Sequence, residues 1–321
     1  MSRELGRTGI SVDEVGVGCW QLGGAWGPVD EAEAVGLLRS ARTCGANLFD
    51  TALEYGGGRS ERLLRSALGR GIEDVTVVTK VPPKDDCWAP TGSATWKTSF
   101  PGAWVDDSLR QSLRNLGTET VDVLLLHTWS SDWPPEALAA IGRLRDAGFV
   151  RFIGISTPDA SSRVSDECLE LIDVLEVNLS ATNQEPLEWL APRASRHGTG
   201  VIARCPFSSG ALAVDWSARP ECHEADWRMA WVDQTWWDSQ RQNSEIFGQL
   251  CRLYGVGRVP AALAVSLSGA GVAVTIPGAR SAVQVTENLT CNWQAVPPEL
   301  LERVRSLYKE GAIRPVYNGA G

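Results

Sequence analysis

Lysine is nearly missing from this chain. Only four occur in 321 residues, against 39 acidic side chains and a formal net charge of −9. A net charge of that sign argues against nucleic-acid or anionic-membrane partners. Histidine is scarcer still, with three residues. Eight cysteines are present, at 19, 44, 87, 168, 205, 222, 251 and 291, but none forms a CxxC pair or a metal-ligand spacing. We therefore expect no metal site, and read the thiols as small buried hydrophobes in a reducing compartment. No apolar run reaches 18 residues, and Met1-Ser2-Arg3-Glu4-Leu5-Gly6 lacks an apolar signal core. A cytoplasmic protein is expected, without a membrane span, and the sequons at Asn178 and Asn288 are then chance matches. GxGxxG and the Gly-Lys-Ser/Thr ending of a phosphate loop are both missing. The run Gly56-Gly57-Gly58-Arg59-Ser60 reads as a flexible turn into a helix. Any anionic cofactor must then be held by a local pocket. We find no internal repeat or low-complexity segment.

What is present is an unbroken alternation of two patterns. Short β-branched runs occur at Val15–Cys19, Asn47–Asp50, Val75–Val81, Val121–His127, Phe152–Ser156, Val174–Val177, Val201–Arg204 and Val272–Ile276. Helical stretches follow at Glu31–Thr43, Ser60–Leu68, Trp104–Leu116, Pro135–Ala147, Asp159–Cys168, Pro186–Arg196, Ser244–Leu253 with Pro260–Leu267, and Val283–Cys291. Alternation of this kind means a parallel sheet. Eight such units fill a (β/α)8 TIM barrel, so residues 1–321 read as a single α/β domain. Asp30 and Ser60 read as helix starts, and Gly45 and Gly148 as the residues that follow helix ends. Residues 3–12 suggest an N-terminal hairpin closing the barrel bottom. Three segments exceed the repeat: a loop at Pro82–Pro101 after the third strand, a longer one at Ser208–Asn243 after the seventh, and a C-terminal tail at Val296–Gly321 with a helix and then Pro315-Val316-Tyr317. Loops this long in a compact domain are usually lids or binding loops, and the first two overhang the C-terminal strand ends.

Those strand ends carry chemistry. Asp50, Lys80 and His127 close three apolar runs, and Tyr55 follows just after the second run. In a parallel barrel this end is the catalytic face. With so few Lys and His to distribute, one of each at strand ends is a poor fit to random filling. A lone Asp there caps loops, and a lone Tyr near a Gly-rich turn packs. An unpaired Lys in a barrel mouth is costly, so the four together read as a proton-donating group.

Around these residues the chain resembles the aldo-keto reductase family over nearly its full length. The motifs are Phe49-Asp50-Thr51-Ala52-x-x-Tyr55-Gly56 with Ser60-Glu61-x-x-Leu64, then Val78-Thr79-Lys80, and Leu113-x-x-Leu116-Gly117-Thr118-x-x-Val121-Asp122-x-x-x-x-His127. Gly154-Ile155-Ser156, Ile276-Pro277-Gly278-Ala279-Arg280 and Gln284-x-x-Glu287-Asn288 complete the set. The Ile276–Arg280 form is most similar to the bacterial and potassium-channel-β-like branches. The resemblance implies a barrel that binds NADPH, with NADH less favoured, and reduces a small-molecule aldehyde or ketone to an alcohol. Asp50, Tyr55, Lys80 and His127 are then catalytic. Tyr55 gives the proton, Lys80 lowers its pKa, Asp50 holds Lys80, and His127 donates to the carbonyl oxygen.

The resemblance also implies cofactor contacts. Ser156 and Thr157 meet the nicotinamide amide, with Thr157 where the family usually has Asn. Glu176 replaces the usual Gln, and Arg204 stands where many members stack a Tyr. Phe207, Ser208, Gly210 and Leu212 belong to a segment expected to wrap the pyrophosphate through backbone N–H groups. Arg280 and Gln284 sit at the 2′-phosphate, and Glu287 and Asn288 face the adenine. Trp26, Trp88, Trp96 and Trp129 are candidates for an aromatic substrate wall. Two rivals keep the fold but change the function. One is an NADPH-binding regulatory subunit of the channel-β type, disfavoured by the intact tetrad. The other is a reductase-like enzyme of non-redox chemistry, kept open by Thr157 and Glu176.

Overall fold

The structure, a computed structural model, describes residues 2–158 and 163–315. Two short strands, β1 (Ser2–Glu4) and β2 (Ser11–Asp13), pair antiparallel. Eight more follow: β3 (Val17–Gly18), β4 (Leu48–Asp50), β5 (Thr76–Val81), β6 (Val121–Leu126), β7 (Val150–Ser156), β8 (Val174–Asn178), β9 (Gly200–Arg204) and β10 (Val272–Ile276). They pair in parallel in chain order from β3 to β10. The ring closes where Gly16 N–H donates to Thr275 O at 2.9 Å and Gly18 N–H to Pro277 O at 3.0 Å. This is the expected (β/α)8 barrel. Its interior is a layer of Leu48, Val78, Val123, Leu125, Val174, Ile202 and Val274, plugged from below by Leu5 and Val12 of the hairpin. Inward residues from successive strands stack this way because side chains alternate along each strand. A second apolar shell, including Leu37, Leu64, Leu109, Ile141, Leu169 and Leu263, seats the outer helices.

Several expected boundaries move, each for a local reason. The first barrel strand is shorter than Val15–Cys19, with Val15 making only an isolated bridge to Thr275. The stretch 186–196 is two helices, Glu185–Glu188 and Leu190–Arg196, because Pro192 has no N–H to give to the carbonyl of residue 188. Pro135–Leu138 is a 3₁₀ turn leading into the helix Ala139–Asp146. Ser60 is not a cap: the helix Arg59–Leu68 starts after Gly58, which holds φ +80°, and the buried Ser60 hydroxyl donates to Cys19 O at 3.1 Å. Asp30 does cap its helix, accepting from Ala32 and Glu33 N–H. The helix expected over Asp159–Cys168 runs Asp166–Leu171, capped by Ser165. Residues 159–162 lie outside the described residues, as do Val316 and Tyr317 of the tail. The tail helix is Pro298–Lys309.

The largest correction concerns the long segment after β9. A helix covers Gln234–Leu253, ten residues longer at its start than expected, with the Asp233 side chain accepting from Trp236 N–H. Before it lies a short helix, Trp227–Trp231. The irregular part is therefore Cys205–Asp226. It crosses the C-terminal mouth of the barrel and is fastened on the far side, where Trp227 N–H donates to Ala25 O at 2.8 Å and Trp26 bridges to Asp226.

Candidate active site

Asp50 ends β4, Lys80 is the next-to-last residue of β5, His127 follows β6, Ser156 ends β7, Glu176 lies in β8 and Arg204 ends β9. The parallel register brings these six to one end of the barrel. Above them opens a cavity of about 730 Å³, within the usual range for a cofactor or drug-sized ligand.

Lys80 is completely buried. Its ammonium donates to both Asp50 oxygens at 2.7 and 2.6 Å, to Thr51 O at 3.0 Å and to the Tyr55 hydroxyl at 3.5 Å. Glu176 Oε2 lies 3.3 Å from the same nitrogen. Glu176 Oε1 accepts from the Ser156 hydroxyl at 2.9 Å and stands 3.6 Å from Arg204 Nε. Two carboxylates and two cations thus form one dry cluster with no net formal charge.

The charges set each other. Lys80 is held a full cation: burial opposes this, but Asp50 and Glu176 outweigh it. Asp50 is pushed well above the carboxylate range by burial and by Glu176, against the pull of Lys80. Glu176 stays low, because Lys80 and Arg204 overcome its burial. For Tyr55 the outcome differs from the expectation of a simply lowered phenol. Burial drives it above its ordinary value, Lys80 pulls it back, Asp50 and Glu176 raise it, and Arg204 lowers it. Lys80 therefore works against desolvation and does not bring the free phenol below its reference. Burial, Lys80 and Arg204 push His127 well below its ordinary value, so its ring is neutral and keeps one N–H to donate. The rings of Tyr55 and His127 meet edge-on at 5.6 Å, and Trp88 packs edge-on to His127 at 5.0 Å. Gly23 is needed here. A Cβ on it would lie 2.7 to 2.9 Å from the backbone of Tyr55 and Gly56.

Most of the residues expected at the site line this cavity: Asp50, Tyr55, His127, Ser156, Arg204, Phe207, Gly210, Arg280, Gln284, Glu287, Asn288, Trp26 and Trp88. Lys80 and Glu176 lie just beneath its floor. Five residues are placed elsewhere. The Thr157 hydroxyl turns to Glu176 O at 3.3 Å, into the sheet. Ser208 bonds Thr182 and Gln240, and Leu212 is buried against a cluster with Phe247. The N–H groups of Ser208, Gly210, Ala211 and Leu212 are used within their own turn. Trp129 is 2% exposed and packs on Trp133 at 5.4 Å. It misses the cavity because the strand stops at Leu126 and alternation fails beyond it. Trp96 packs on the same outer core.

The cavity also recruits residues the motifs do not mark. Trp20 and Gln21 follow the first barrel strand, and Glu54 precedes Tyr55. The strand-end rule that found Asp50 applies equally to Trp20. Trp216 and Arg228 come from the segment crossing the mouth. Arg228 is paired with Asp226 at 2.7 and 2.9 Å and lies 4.6 Å over Trp26. Around it Trp20, Trp26, Trp227, Trp236, Trp237 and Trp216 follow one another at centroid spacings of 5.1 to 5.9 Å. No local signal announces such a stack, because its members come from three distant segments.

At the opposite end of the cavity, Gln284 Oε1 accepts from Arg280 N–H at 2.8 Å, at the start of the helix Ala282–Thr290. Asn288 donates to Gly278 O at 3.3 Å. His223 and the Arg280 guanidinium both lie against Gly27 at this end.

A family model described as Aldo/keto reductase family matches residues 14–309. L-galactose dehydrogenase of Arabidopsis thaliana is 30% identical over 299 residues, covering 89% of this chain and 86% of its own. Pyridoxal 4-dehydrogenase of Microbacterium luteolum is 27% identical, with 97% of each chain covered. Among solved structures, an aldo-keto reductase from Bacillus halodurans in its holo form superposes with a TM-score of 0.73 at 26% identity, covering 99% of this chain and 98% of that one.

Proposed function

Since the chain belongs to the aldo/keto reductase family, we propose that it reduces an aldehyde or ketone with NADPH, using Tyr55 as the proton donor. The observation that carries this reading is the contact of the Tyr55 hydroxyl with a fully buried, doubly countered ammonium. The residues around the cavity fit a nicotinamide dinucleotide. Gln21 Oε1 is a buried oxygen on the cavity wall without a hydrogen-bond partner among the described residues, suited to an amide or hydroxyl donor. Reduced nicotinamide supplies the hydride. The protein's part is the proton and the field. As negative charge grows on the carbonyl oxygen, the neutral His127 ring donates to it and Tyr55 O–H delivers the proton. Lys80 then stabilises the phenolate left behind. Asp50 and Glu176 keep Lys80 charged and aimed.

Arg280 and Gln284 are the residues we assign to the 2′-phosphate. Arg280→Ala is expected to weaken NADPH by about 2 kcal/mol, as for a charge-assisted bond, and to leave NADH little changed. Titration of both cofactors checks it, and equal weakening of the two would move Arg280 off the phosphate. The reading as a whole is tested by loss of 340 nm absorbance with a panel of aldehydes and ketones. Binding without turnover would favour a cofactor-sensing role, and product change without net cofactor use would favour non-redox chemistry. The relatives named for L-galactose and pyridoxal suggest small polar carbonyls for the panel.

A further inference from the structure

The reacting floor of the cavity carries no net charge, so the sign of its mouth is set by what stands at the rim. The cavity's cations are committed. Arg228 is paired with Asp226, and Arg204 donates to the carbonyls of Thr157 and Pro158 at 2.8 and 3.0 Å. Arg280 stands at the other end, with Gln284. Near Tyr55 the rim is acidic. Glu54, the residue before Tyr55, lines the cavity. Burial and the neighbouring Asp86 push its carboxyl above its ordinary value, so the two acids stand within electrostatic reach of each other. Asp86 is fixed on the aromatic wall by the Trp88 indole N–H, which donates to it at 2.6 Å. Trp20, Trp26 and Trp88 present ring faces and edges to the same space. A carboxylate beside indole rings attracts cations and repels anions.

We propose that Glu54, supported by Asp86, selects substrates by charge: carbonyl compounds with a cationic substituent are favoured, neutral ones are accepted, and those carrying a carboxylate are rejected at the mouth. The proposal rests on the reductase reading of the same cavity. It concerns which carbonyl enters and leaves the proton and hydride steps untouched.

The test uses three benzaldehydes whose para substituent is insulated from the ring by one methylene: trimethylammoniomethyl, hydroxymethyl and carboxymethyl. The insulation damps but does not remove the substituents' unequal pull on the carbonyl, so the change in the ratio between wild type and Glu54→Gln is the reading that isolates charge recognition. With NADPH at pH 8 and low salt, kcat/KM is expected to fall in that order. The cation should lead the anion by at least about tenfold, the lower end of what a cleft of one sign gives. Salt should shrink the ratio, since the rim is solvated. Glu54→Gln keeps the shape and should reduce the ratio severalfold, mostly through KM. Asp86→Asn should act in the same direction to a smaller extent. An anion turned over as well as the cation by the wild type would overturn the proposal, and so would a ratio unchanged in Glu54→Gln. The hydroxymethyl compound keeps the two readings apart. If neither it nor any member of the aldehyde and ketone panel is reduced, the reductase reading fails; if it is reduced without charge preference, only the role of Glu54 fails.

Discussion

Tyr55→Phe is expected to lower kcat for carbonyl reduction by at least about 10²-fold, the range a positioned general acid contributes. The change removes one oxygen from a ring held by Lys80 below and His127 beside it. The hydroxyl's contact is the 3.5 Å approach to Lys80, so its loss leaves the Asp50–Lys80 bonds in place and the fold intact. Cofactor affinity should stay within a small factor, because Arg280, Gln284 and Ser156 are untouched. The residual rate measures what His127 and positioning supply alone, with water as the proton source. The measurement is single-turnover decay of reduced cofactor beside its equilibrium Kd. Near-normal turnover would take Tyr55 out of the mechanism.

Lys80→Met should harm alcohol oxidation more than carbonyl reduction. Oxidation needs Tyr55 as phenolate and reduction needs it as phenol. Burial already holds the phenol above its ordinary value, and Lys80 is the first influence pulling it back. Without that charge the phenol rises further. Each unit of rise cuts the phenolate fraction about tenfold at any pH below the pKa. The acid limb of the oxidation profile, where the phenolate is lost, must therefore move to higher pH. Reduction keeps its proton donor but loses the cation that stabilises the phenolate formed. Removing one member of a buried charge cluster costs about 3–5 kcal/mol when the rest stays charged. Asp50, already raised by burial and Glu176, should take up a proton and offset part of this. The sign for stability follows: the variant is most stable below the raised Asp50 pKa and loses stability as pH rises through it. Profiles of kcat in both directions, with chemical denaturation at several pH values, check both halves. An acid limb in oxidation shared by the two proteins would break the link between Lys80 and Tyr55.

The barrel was legible because each strand is an apolar run that delivers one polar residue at its end, and a parallel ring puts all such ends together. What stayed hidden has physical causes. The helix Gln234–Leu253 buries Gln240, Asn243 and Ser244 beside Trp236 and Phe247, so its inward face looks polar and the helical period fades. Trp129 and Trp96 carry no directional cue once regular strand has ended. The functions of Thr157 and Leu212 were carried over from motif position alone, and their side chains turn into the sheet and a core. Two of the departures from the family pattern, Glu176 and Arg204, look independent in the sequence. In space they are neighbours, with nitrogen and oxygen 3.6 Å apart.

That proximity bears on how the site could have changed over time. A neutral Gln and Tyr at these positions, the arrangement the family pattern suggests, leave the Asp50–Lys80 pair balanced. So does Glu176 with Arg204. Either replacement alone leaves one uncompensated charge in a place where Glu176 is 1% exposed, and such an intermediate is penalised by several kcal/mol. The route between the two states is therefore a narrow pass. It is crossed by paired substitution, or by a protonated Glu176 serving as a temporary neutral step. Libraries that vary these positions one at a time should return few folded variants, while libraries that vary them jointly should recover both balanced solutions.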